Sequence, residues 1–148
     1  MTTPEPNVDG RYRVITFIWV ALLVSVLLHA FVGYMARGAG TLEIGGDDAT
    51  LLAVFAFLAL TSAAGSFVVR RALLLKATQE QRPDTAQTAY IVGFAVCEAV
   101  SLFGVVALFT TGSTYAYLLL ALGFVLMLLH KPGRDQLAAA GYRNRSWN

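Results

Sequence analysis

The sequence predicts an all-α protein, a four-helix transmembrane bundle with both termini in the cytoplasm. Of its 148 residues, 57% are hydrophobic and only 14% are charged, whereas charged residues make up about 25% of a typical soluble domain. Four apolar stretches are separated by short polar segments, and a stretch of roughly 20 residues spans a bilayer core. Almost all Lys and Arg residues fall on one side of these stretches, as the positive-inside rule requires of a multi-pass protein.

The four predicted spans differ in length and in the residues at their ends. The first has Trp19 and Tyr34 near its ends, where aromatic side chains favour the membrane interface. A signal peptide is the alternative for it, but its apolar core is longer than the usual 7–15 residues and no A-x-A site follows. An uncleaved helix is therefore favoured. The predicted spans are Val14–Met35, Leu51–Val69, Thr88–Thr110 and Tyr115–His130.

The segments outside the spans set the predicted domain organisation. Residues 1–12 are polar, with two prolines and a glycine, and we expect a disordered cytoplasmic tail. Residues 13–130 form the membrane domain, and residues 131–148 form a basic cytoplasmic tail, solvated or lying as a short helix on the inner leaflet. Ala36–Thr50 is a glycine-rich outer loop. Arg70–Gln87 is a basic inner segment, and its first part can extend the second helix beyond the bilayer.

The distribution of Lys and Arg predicts the orientation. Ten of the eleven lie on one side, and Arg37 alone lies on the other. Both termini and the basic loop are then cytoplasmic, as an even number of spans also requires. We expect the protein in the inner membrane of a bacterial-type cell. The ten residues are Arg11, Arg13, Arg70, Arg71, Lys76, Arg82, Lys131, Arg134, Arg143 and Arg145.

Glu98 is the single carboxylate within the predicted spans. It lies ten residues from Thr88, or about 15 Å into a hydrocarbon core of roughly 30 Å. An ionised carboxylate costs several kcal/mol at that depth. Desolvation favours the neutral acid, so we expect Glu98 to hold a proton at or near neutral pH. The alternative is a carboxyl group that only joins helices by hydrogen bonds.

Small residues recur at helical spacing near Glu98 and on the second span. Such stripes allow two helices to approach closely, so we predict that spans two and three pack through them, with Glu98 near the seam. The predicted packing residues are Ala59, Ala63 and Ser66 on span two, and Gly93, Cys97, Ser101 and Gly104 on span three.

The stretch RPDTAQTAYIVGFAVCEAVSLFGVVALF, with TSAAGSFVVRRALLLKATQEQ before it, resembles the helical hairpin of the proteolipid c subunit of ATP synthases. The likeness covers residues 60–110, and one further predicted helix stands on each side. It implies that Glu98 corresponds to the ion-carrying carboxylate of that family, and that Arg82 and Pro83 correspond to its cytoplasmic loop. The neighbours of Glu98 include few side-chain oxygens for a sodium ion, so a proton is the expected ion.

Other residues suggest no further chemistry. His29 in span one could partner Glu98 or relay a proton, although a packed histidine is the alternative. We predict no metal site and no cofactor, because no His, Cys, Asp or Glu cluster has ligand spacing, and no enzyme, because no nucleophile lies beside a base. The net charge of +2 gives no reason to expect nucleic acid.

These observations lead to two functional hypotheses. The first is an accessory or structural subunit of a membrane assembly, whose partners are the lipid bilayer and either further copies of the chain or other membrane subunits. The alternative is a proton-binding or proton-translocating component that uses Glu98 in a c-subunit-like hairpin.

Overall fold

The computed structural model describes residues 8–40 and 48–141, and these residues form helices and connecting turns with no strand. The predicted all-α class is therefore confirmed. The helices are α1 (Val8–Gly38), α2 (Ala49–Glu80), α3 (Pro83–Thr111), α4 (Ala116–Leu129) and α5 (Arg134–Gly141).

Local sequence signals explain where the central helices begin and end. The side chain of Asp48 accepts a hydrogen bond from the backbone N–H of Leu51 and so caps α2. Gln81 ends α2 in the left-handed conformation, with φ 52°. Pro83 begins α3 at a position where its missing N–H is not needed. Gly112 ends α3 with φ 62°, a conformation that glycine adopts without strain.

Helix α3 is the centre of the bundle. It contacts all four other helices, whereas α1 and α2 do not contact each other in the described residues. Within the most apolar 18 residues of each long helix, 44% of the residues are buried in α3, but only 11% in α1 and 17% in α2. The indole Nε1 of Trp19 donates a hydrogen bond to the carbonyl of Met127 at 2.8 Å, which joins α1 to α4.

Large apolar side chains remain exposed along α1 and α2, as they would on helices in contact with lipid. Phe17 is 76% exposed and Phe57 is 67% exposed, although both lie within apolar stretches. Three helices, α1, α2 and α3, are long and apolar enough to cross a membrane. Helix α4 meets this criterion only together with α5, and the two are bent by 56° at their junction.

The structure differs from the predicted boundaries at both ends. Residues 8–12, expected in a disordered tail, are the first residues of α1, because no proline follows Pro6 in this segment to break the helix. Residues 134–141 of the predicted basic tail form α5, which buries Leu137 and Ala140 against the bundle. Residues 1–7 and 142–148 lie outside the described part of the chain.

Candidate functional site

Glu98 lies on α3 at the contact with α1. The hydroxyl of Ser25 donates a hydrogen bond of 2.8 Å to its Oε1. The second carboxylate oxygen makes no hydrogen bond within the described residues, and the side chain is only partly buried. The carboxyl group therefore has one partner inside the bundle and one oxygen left for another.

The contact between α1 and α3 keeps a constant register. Ser25 meets Glu98 with an offset of 73 residues, His29 meets Ser101 with an offset of 72, and Arg11 pairs with Asp84 with an offset of 73. A constant offset means that the two helices run parallel. Polar side chains therefore line the contact between α1 and α3, which we call the polar seam. The Arg11–Asp84 ion pair lies at one end of this seam, and Glu98 lies further along it toward the middle of α1.

His29 lies one helical turn beyond Ser25, on the same face of α1. Its Nδ1 is 3.4 Å from the hydroxyl oxygen of Ser101, which is fully buried. Residues three and four apart share a helix face, so Ser25 and His29 on α1 face Glu98 and Ser101 on α3. The structure thus brings together a carboxyl group, an imidazole and two hydroxyls along the contact between α1 and α3.

Beside Glu98, α3 presents an exposed apolar strip in the space between α1 and α2. The strip follows helical spacing, and each of its large members is between 39% and 47% exposed. Glu98 forms the border between this strip and the α1 contact. We call this surface the α3 strip, and it consists of Ile91, Ala95, Leu102, Val106 and Phe109.

The predicted packing residues are all buried, but not all against the same helix. On α2, Ala59, Ala63 and Ser66 are buried, and on α3 so are Gly93, Cys97, Ser101 and Gly104. The expected α2–α3 packing exists and is the most extensive contact in the bundle.

Gly104 and Ser101 pack against α4 instead of α2. A Cβ at Gly104 would lie 2.8 Å from the backbone nitrogen of Leu120, and a Cβ at Gly123 would lie 2.9 Å from the backbone nitrogen of Ser101. The small residues of α3 thus allow close packing with both α2 and α4. Their spacing along α3 does not show which of them faces which helix.

Arg82 and Pro83 form the start of α3 and are remote from Glu98 along the helix. Arg82 is exposed, and its guanidinium lies 3.9 Å from Glu80 in a surface ion pair. The two residues shape the turn between α2 and α3. None of their contacts in the described residues points to a role in the chemistry of Glu98.

Ser25 is the site residue that the sequence pattern did not reveal. One serine in an apolar helix is common, and only the α1–α3 register reveals its partner. A sequence signal existed nonetheless, because Ser25 lies four residues before His29 and on the same face. In residues 8–40 and 48–141, no three His, Cys, Asp or Glu side chains are grouped as metal ligands.

The fold and the site together define an all-α chain with long apolar helices and a polar seam around one carboxyl group. No protein-family model, no curated protein and no solved structure matches this chain. The likeness of residues 60–110 to the ATP synthase c subunit therefore stays a prediction.

Proposed function

We propose that the chain is a four-span integral membrane protein, with both termini in the cytoplasm of a bacterial-type cell, and that it is an accessory subunit of a larger membrane assembly. The observation that carries the proposal is the position of Glu98. It stands at the edge of an exposed apolar strip, with one oxygen bonded to Ser25 and the other without a partner in the described residues.

The surroundings of Glu98 favour contact with another subunit. A carboxyl group used only to join α1 to α3 would be expected to bond within the bundle through both oxygens, because polar groups inside a protein are normally hydrogen-bonded. Here the second oxygen has no partner in the described residues, and Glu98 borders the α3 strip. A transmembrane helix of another subunit would fill this space and supply the missing hydrogen-bond donor to Glu98.

The second candidate function is proton binding, and the position of His29 favours it. Two titratable side chains, Glu98 and His29, occupy the same seam one turn apart, each beside a hydroxyl group. Ionisable residues inside membrane spans often mark proton pathways. The two functions are compatible, since a subunit that docks through Glu98 can also use it to hold a proton.

Photocrosslinking from the α3 strip tests the docking proposal. A benzophenone amino acid at Leu102, on the strip, should give one discrete protein adduct in intact membranes. The same probe at Phe31, which is 56% exposed on the face of α1 opposite to His29, should react with lipid alone. Glu98→Leu should remove most of the Leu102 adduct, while Glu98→Gln, which can still bond to a donor, should retain part of it.

Two outcomes of this experiment would contradict the docking proposal. Equal protein adducts at Leu102 and Phe31 would mean that the strip is not a specific surface. An adduct with the mass of two identical chains would replace the proposed subunit with a second copy of this protein.

Cysteine labelling tests the orientation. In a Cys97→Ala background, Gly38→Cys should react with an impermeant maleimide added outside the cell, because Gly38 ends α1 in open space. Thr78→Cys, exposed near the end of α2, should react only after the membrane is opened. Labelling of both cysteines from the same side would contradict the four-span arrangement.

A further inference from the structure

The junction between α4 and α5 breaks a helical stretch and leaves backbone groups that the stretch cannot satisfy itself. The two helices are bent by 56° at a segment that contains Pro132, which has no N–H to continue the α4 hydrogen bonds. The N–H of Lys131 bonds to the carbonyl of Leu128, three residues back. The carbonyl of Met127 thereby loses its usual helical partner, and it needs a donor from elsewhere in the protein.

Two helices that do not contact each other supply donors to this junction. From α1, the indole Nε1 of Trp19 donates to the carbonyl of Met127 at 2.8 Å. From α2, the guanidinium Nη2 of Arg70 donates to the carbonyl of Lys131 at 3.4 Å. The junction therefore lies between α1 and α2 and is bonded to both.

Helix α3 and the first turn of α1 hold the α5 side of the junction. The Tyr90 hydroxyl on α3 accepts a hydrogen bond of 3.0 Å from the backbone N–H of Gly133 and donates one to the side-chain oxygen of Gln136. Arg134, the first residue of α5, pairs with Asp9 on α1 at 2.7 Å. Together with its apolar packing, α5 contacts each of α1, α2 and α3.

The position of α1 should depend on these contacts more than that of α2 does. Helix α1 has the smallest buried fraction of the three long helices, and within the described residues it does not contact α2. Helix α2, by contrast, packs on α3 through the most extensive contact in the bundle. Loss of the junction contacts should therefore free α1 while α2 stays on α3.

We infer that the α4–α5 junction is a clamp that holds α1 at a fixed distance from α2. This distance sets the width of the space over the α3 strip at the Ile91 end, which adjoins Tyr90. Release of the junction would move α1 away and widen that space. The consequence for docking of a partner helix rests on the proposed function, whereas the clamp is a property of the isolated chain.

Pulsed electron paramagnetic resonance on the purified full chain in lipid vesicles tests the clamp. In a Cys97→Ala background, nitroxide labels at Arg13→Cys on α1 and Ala72→Cys on α2, both exposed positions, report the distance between these helices. The double variant Trp19→Phe/Arg70→Met keeps an aromatic ring and an apolar stem but removes both donors. Its α1–α2 distance should lengthen by more than about 2 Å, the scale of a rearrangement of packed elements, and its distribution should broaden.

Two controls separate the clamp from a general loss of structure. Arg71→Met removes a neighbouring exposed cation and should leave the α1–α2 distance unchanged. A second label pair, Ala72→Cys with Thr110→Cys on α3, should keep its distance in every variant because α2 packs extensively on α3.

An unchanged α1–α2 distance in the double variant would overturn the clamp, and the docking proposal would still stand on its own crosslinking test. Equal changes in both label pairs would mean that the whole bundle loosens, which also contradicts a clamp that acts on α1. An intact clamp without a discrete crosslink from the α3 strip would refute the docking proposal alone.

Discussion

Replacing Gly104 with alanine is expected to destabilise the protein by about 1–3 kcal/mol, the usual effect of overpacking a tight contact. The added Cβ would lie 2.8 Å from the backbone nitrogen and 3.0 Å from the Cγ of Leu120, and 3.2 Å from the backbone carbon of Leu119. Two of these atoms belong to the main chain of α4, so no side-chain rotation relieves the clash. The helices must separate, and Gly104→Leu should prevent stable folding altogether.

Gly65→Ala is the matched control for this prediction. Gly65 also lies within a long apolar helix, but a Cβ there meets nothing within 4 Å. Alanine in a helix is favoured over glycine by about 0.5–1 kcal/mol, so this variant should be slightly more stable than the wild type. The free energy of unfolding, measured by denaturing detergent titration of mixed micelles, compares the three proteins directly. Equal stability of Gly104→Ala and Gly65→Ala would show that α4 does not pack closely on α3 at this point.

The helices themselves were predictable from sequence, because an apolar stretch of sufficient length has few alternatives to a helix. Span three was predicted as Thr88–Thr110, whereas α3 runs from Pro83 to Thr111. The helix begins earlier than predicted because proline is well suited to the first position of a helix. The extension of α2 to Glu80 was harder to place, because polar residues continue a helix as readily as they begin a loop.

The arrangement of the helices was not predictable from the same signals. Gly104 could have faced any neighbour, and only the structure shows that it meets Leu120. The pairing of Ser25 with Glu98 depends on the register of α1 against α3, which no pattern within either helix determines. Arg70 on α2 stacks over Tyr90 on α3 and donates a hydrogen bond to the carbonyl of Lys131. These three segments are distant in sequence, and no sequence pattern indicated that they meet.

Glu98 is expected to be the carboxyl group that reacts with a hydrophobic carbodiimide, dicyclohexylcarbodiimide, when the purified chain is reconstituted in lipid vesicles without other subunits. The reagent dissolves in lipid, so it reaches carboxyl groups that adjoin the bilayer, whose oxygen attacks the carbodiimide carbon. Glu98 lies among apolar side chains at the edge of the α3 strip, where the reagent can approach from the bilayer. Glu98→Gln should abolish the modification, and peptide mass spectrometry should locate it at residue 98 in the wild type.

Asp84 provides the internal control for this prediction, because its side chain is 82% exposed and pairs with Arg11. A hydrophobic reagent is scarce in water, so modification of Glu98 should greatly exceed that of the water-exposed Asp84. Ser25→Ala removes the hydroxyl that donates to Oε1. The Ser25→Ala variant leaves both carboxyl oxygens of Glu98 free to attack the reagent, so it should react at least as fast as the wild type. Equal reaction of Glu98 and Asp84 would show that Glu98 faces water and would remove the basis for both proposed roles of this residue. Slower reaction in Ser25→Ala would contradict the hydrogen bond between Ser25 and Glu98.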